Sequence, residues 1–132
     1  MGGFTILRRL CRSRPPKAGA VAQCVIAIPV RNEANGVVRC LDALDRMSGR
    51  GDALHQVLLV LNGCTDATWQ TVQAWTRSHD LPLSMVEIVL APEDNHAGGA
   101  RAAALRLALD ALEGHPDGVV LTTDADTRVA HD

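Results

Sequence analysis

The chain has 132 residues, 47% hydrophobic and 21% charged, with aromatics limited to Phe4, Trp69 and Trp75. This length predicts one domain that buries about two-thirds of its unfolded surface, with Val, Leu, Ile and Ala filling its core. A formal net charge of -2 argues against nucleic acid or an anionic membrane as a partner of the whole surface. No stretch approaches the ~20 apolar residues of a membrane helix.

Residues 1–19 carry Arg8, Arg9, Arg12, Arg14 and Lys17 and include Pro15-Pro16. They read as a basic, flexible tail; the alternative is a peripheral contact with lipid headgroups or another polyanion. The segment lacks the apolar core of a secretory signal. From Ala20 to Asp132 the pattern is that of a folded domain. Residues 22–30 (AQCVIAIPV) form an apolar run without helical period, which predicts a strand buried on both faces. Over 34–47, Val37, Val38, Leu41, Leu44 and Met47 recur at helical spacing, and Ser48-Gly49-Arg50-Gly51 closes that helix. Residues 56–61 (QVLLVL) predict a second strand, broken by Asn62-Gly63. Thr65 then reads as an N-cap, and Asp66 suits the positive first turn of a helix carrying Val72 and Trp75. A third strand is expected over 83–90 and an Ala/Leu-rich helix over 100–112, its start loosened by Gly98-Gly99. A fourth strand, 118–123, leads into Asp124-Ala125-Asp126. Cys11, Cys24, Cys40 and Cys64 show no zinc-ligand spacing; free thiols fit a reducing cytoplasm. The five histidines are scattered, and none stands out as a ligand.

Strands alternating with helices predict an α/β fold, a Rossmann-like and mostly parallel sheet of about four strands flanked by helices. Ligands bind such sheets at the carboxyl ends of the strands. Three loops are expected on that edge: 31–35, 62–66 and 124–127.

The polar residues of the chain collect there. Asp124 and Asp126, one residue apart in an extended segment, project to the same side. Two neighbouring carboxylates need a positive partner, and a hard divalent cation, Mg or Mn, bridging to phosphate oxygens supplies one. A turn capped by acids is the plainer reading. Asn62 sits in a strand-to-helix turn, where its amide can donate to and accept from a base or ribose. The loop Pro29-Val30-Arg31-Asn32-Glu33 can hold a nucleobase through backbone groups, or Glu33 can simply face a helix N-terminus. Arg101 can grip a diphosphate with its guanidinium, or stand solvated on its helix.

In order, Ile28-Pro29-Val30-Arg31-Asn32-Glu33, Val60-Leu61-Asn62-Gly63-Cys64-Thr65-Asp66, Gly98-Gly99-Ala100-Arg101 and Leu121-Thr122-Thr123-Asp124-Ala125-Asp126 resemble the motifs of family 2 glycosyltransferases. That family shows runs like IPVYNE and VDDGSTDGT, then a Gly/Ala/Arg helix start, then a DxD at a strand end. The resemblance covers about residues 22–132 and implies a GT-A fold that binds a nucleotide-diphosphate sugar and passes the sugar, with inversion, to a sugar, lipid or protein acceptor, as in making cell-envelope polysaccharide. By position, Pro29, Arg31 and Glu33 match the nucleoside-pocket loop. Asn62 matches a base-contacting Asp, and Arg101 a basic position near the diphosphate. Asp124 and Asp126 match the DxD, with Asp126 as the direct metal ligand. Arg31 replaces the family's usual aromatic, and Asn62 its Asp. The family's acceptor half, with its general base, would follow Asp132, so no residue here takes that role.

Two rival readings remain. VVLTTDADT also fits hhhhDxDxT, the first motif of haloacid-dehalogenase-type phosphatases, which would make Asp124 a nucleophile and Asp126 an acid/base with Mg. Alternatively, the chain binds a nucleotide sugar without turning it over. A truncated sheet would also expose apolar edges and promote self-association.

Overall fold

The structure, a computed structural model, describes residues 3–12, 24–48, 54–114 and 117–123. The elements are β1 (Phe4–Arg12), β2 (Cys24–Val30), α1 (Val37–Ser48), β3 (Leu54–Asn62), α2 (Thr68–Thr76), β4 (Leu83–Leu90), a 3-10 turn (Pro92–Asp94), α3 (Ala97–Ala111) and β5 (Val119–Thr122). They form one five-stranded sheet in the order β1-β4-β3-β2-β5. β2, β3, β4 and β5 run parallel, and β1 joins the outer edge antiparallel to β4.

The apolar runs are buried on both faces because helices cover both. On β2, Ile28 and Val30 pack with Val37, Leu41 and Leu44 of α1 and with Trp69, Val72 and Trp75 of α2. Their alternates Val25 and Ala27 pack with Ala103, Ala104, Leu107 and Ala108 of α3. This is the period of two that a strand imposes. Central β3 repeats it, with Leu59 and Leu61 on one face and Leu58 and Val60 on the other. Alanines on the buried side of α3 let that helix approach the sheet closely, which suits a chain so poor in aromatics.

Beyond the four expected strands there is a fifth. The basic segment, expected as a frayed tail, contains β1, and its pattern is hidden by a bulge. Phe4 opposes Leu90 while Leu10 opposes Met85, with a register shift between Ile6 and Arg8. The extra residue flips the parity, so Phe4 packs on the α3 face and Leu10 on the α1/α2 face. Arg8 is held inside this arrangement. Its Nε donates to Glu87 at 3.0 Å, and its guanidinium lies 3.9 Å from the ring centroid of Trp69.

Two helix starts also differ from expectation. α2 begins at Thr68 with Ala67 at its N-cap, so Thr65 does not cap it. Asp66 instead accepts from the Thr68 backbone N–H at 3.0 Å and from the Thr68 hydroxyl. α3 begins at Ala97 and contains both glycines. His96 is its N-cap, with Nδ1 accepting from Gly99 N at 3.1 Å. Gly99 is required there, because a Cβ would come within 1.9 Å of the Asp94 carbonyl oxygen.

Candidate functional site

The parallel strands change direction of growth between β2 and β5: α1 leaves β2 over one face, and α3 enters β5 from the other. Such a switch point opens a crevice at the carboxyl edge. Pairing of β2 with β5 stops at Ala27 and Thr122, followed by one bond from Thr123 N to Ala27 O at 3.4 Å. Pro29, which has no N–H to give, lies just past that point.

Two loops close over this edge. The chain after β2 turns at Asn32, whose φ of +51° is the left-handed region that Asn tolerates better than most residues. Its Oδ1 accepts from Thr65 N at 2.7 Å and Asp66 N at 3.2 Å, with the Thr65 hydroxyl at 3.4 Å. Its own N–H donates to Cys64 Sγ at 3.4 Å. Glu33 N donates to Thr68 Oγ1 and Ala34 N to Asp66 Oδ2, both at 3.2 Å. The loops after β2 and β3 are therefore one interlocked body. Gly63, with a φ of +64°, makes the turn out of β3.

The electrostatics follow from these contacts. The Thr68 hydroxyl, with backbone N–H groups, holds the Asp66 carboxyl below its ordinary value. Burial pushes the Cys64 thiol up, so it keeps its proton and donates it toward Val30 O at 3.7 Å.

Of the expected site residues, the structure brings Pro29, Arg31, Glu33 and Asn62 to this edge. Pro29 and Glu33 are half-buried and Arg31 is exposed. Glu33 acts locally through its main chain, its carbonyl accepting from Gly36 N and Val37 N as α1 begins. Asn62 is 6% exposed, and its Nδ2 donates to Asn95 Oδ1 at 3.3 Å. Arg101 lies on the exposed side of α3. Asp124 and Asp126, and with them the metal assignment, lie outside the described residues. Among the described residues no group of three or more His, Cys, Asp or Glu is arranged to hold a metal ion.

A cavity of about 260 Å³ lies elsewhere, between β1, β4 and α3. Phe4, Leu90, Asp94, Gly99, Ala103 and Arg106 are among its lining, and it shares no residue with the two loops.

A model of glycosyl transferase family 2 matches residues 25–132. The chain belongs to that family. The match spans the switch point, both interlocked loops and the segment beyond β5. This glycosyltransferase domain is also similar to a mannosyltransferase from Pyrobaculum calidifontis, PcManGT, solved in complex with GDP-Man and Mn2+. The identity is 27% and the TM-score 0.60, over 92% of this chain and 32% of that one. S. aureus TarS shares the fold at a TM-score of 0.53 and 23% identity, over 81% of this chain and 28% of that one. The domain thus spans about a third of the length of these solved structures. No curated protein matches it.

Asn32, Asn95 and Thr68 escaped the sequence reading. Asn32 carried a usable signal, since an Asn just after a buried strand favours a left-handed turn. Asn95 carried none, because its partner lies 33 residues away.

Proposed function

We propose that this domain binds the nucleotide-diphosphate sugar donor of a glycosyl transfer. The observation that supports this reading best is the pair of loops interlocked through Asn32 at the switch point of a family 2 sheet. Pro29, Arg31, Glu33 and Asn62 flank that edge, and in this reading they line the nucleoside pocket, with Arg101 toward the diphosphate. Family membership also favours transfer over the phosphatase reading of the Asp124-Asp126 motif.

The acceptor hydroxyl oxygen would form the new bond to the anomeric carbon as the bond from that carbon to the diphosphate breaks. In an inverting transfer this is a single in-line displacement, with the hydroxyl proton passing to a general base. Asp124 and Asp126 would hold a divalent cation, whose charge offsets that of the departing diphosphate. The Mn2+ bound to the Pyrobaculum enzyme is in keeping with such an ion.

Calorimetric titration of the chain with GDP and UDP, with and without manganese, tests this reading. Manganese-dependent binding is expected, weakened at least about tenfold in Asp126→Asn, the loss of one charged ligand contact. Unchanged affinity in Asp126→Asn would remove the metal assignment. No binding by a folded chain would remove the donor-site reading.

A further inference from the structure

Asn62 is the most enclosed polar side chain at the carboxyl edge, 6% exposed at the end of β3. A buried carboxamide that can turn over has no fixed hydrogen-bonding sense, since its oxygen and nitrogen ends are alike in shape. Here the turn is blocked from one side. Asn95, in the link between the 3-10 turn and α3, accepts from Asn62 Nδ2 at 3.3 Å. That bond places the nitrogen end of Asn62 toward Asn95 and leaves its Oδ1 as an acceptor. Oδ1 is not sealed from solvent, and no donor among the described residues bonds it.

Resting on the donor-site reading above, we infer that Asn95 determines base specificity by locking the Asn62 carboxamide with its oxygen toward the nucleobase. An acceptor fixed in this way pairs with a ring N–H. Uracil and guanine carry one beside a carbonyl, whereas cytosine and adenine present an unprotonated ring nitrogen whose lone pair would oppose the Asn62 oxygen. The site therefore selects lactam bases. Asn95 is a positioning residue, acting through Asn62.

The test is calorimetric titration of the full chain, with manganese, against UDP, GDP, CDP and ADP. UDP or GDP should bind at least about tenfold more tightly than CDP and ADP, the effect of one hydrogen bond left unmade in a desolvated place. In Asn95→Ala the carboxamide is free to turn, and the ratio of lactam to amidine affinities should collapse toward one. In Asn95→Asp the new side chain still accepts from Asn62 Nδ2, so the preference should persist even as the added charge weakens all four ligands. A merely structural Asn95 would lower all four affinities together in Asn95→Ala and leave the ratio intact, which would overturn the inference. So would equal binding of all four diphosphates by the wild type, although the donor site would stand. If the folded wild type binds none of them, the donor-site reading and this inference fall together.

Discussion

Replacing Asn32 by Ala removes the acceptor that joins the two loops. Its Oδ1 takes two backbone donors, Thr65 N at 2.7 Å and Asp66 N at 3.2 Å, and each such bond contributes about 1 kcal/mol net. Thr65 and Asp66 are exposed, so water recovers part of that loss, and about 1 kcal/mol remains. A second cost comes from the backbone. At a φ of +51° the Ala methyl meets the left-handed penalty of about 1 kcal/mol. The sum for Asn32→Ala is about 2 kcal/mol. Asn32→Gly deletes the same bonds but escapes the second cost, so it should lose only about 1 kcal/mol. Equilibrium urea unfolding followed by the fluorescence of Trp69 and Trp75 measures both. If Asn32→Ala fell within about 0.5 kcal/mol of the wild type, the size of an ordinary surface change, the interlock would carry no stability and this reasoning would fail. If Asn32→Gly cost as much as Asn32→Ala, the backbone part would be refuted.

Gly99→Ala should destabilise the chain by at least about 1–3 kcal/mol, as overpacking against a rigid partner does, because its Cβ meets a backbone carbonyl at 1.9 Å. Gly98→Ala, whose Cβ meets only the His96 ring at 3.3 Å, should cost less; a melting-temperature series that reversed this order would refute the packing. Asp66 supplies a pH dependence. Its carboxyl is held below the ordinary value by Thr68, so at acid pH the unfolded chain binds protons there more readily than the folded one. Its stabilising effect is present above the ordinary carboxylate value and is lost as pH falls through the lowered one. The urea midpoint of the wild type should therefore drop more steeply below about pH 4 than that of Asp66→Asn, and parallel curves would exclude this role.

The parallel part of the fold was legible because it is written in local patterns. Residues 83–90 were expected as a strand and form β4, and 56–61 lie within β3. What the sequence hid was what depends on distant partners. β1 was masked because a bulge at Leu7 breaks its alternation, and because its arginines look solvated until Glu87 and Trp69 are found beside Arg8. The start of α2 moved from Thr65 to Thr68 because Asn32 claims the N–H groups of Thr65 and Asp66 from across the edge. At the site, the position of Asn62 followed from the end of a strand, but its hydrogen-bonding sense is set by Asn95, which no spacing rule connects to it.

The antiparallel docking of β1 bears on the order of assembly. Arg8 and Glu87 stand 79 residues apart in the chain, so closing that contact carries a far larger loop entropy than any step among β2, α1 and β3. The first strand to leave the ribosome has no place to pair until β4 has been made. During synthesis the arginine-rich segment therefore waits while the parallel core is laid down, and β1 closes the sheet afterwards.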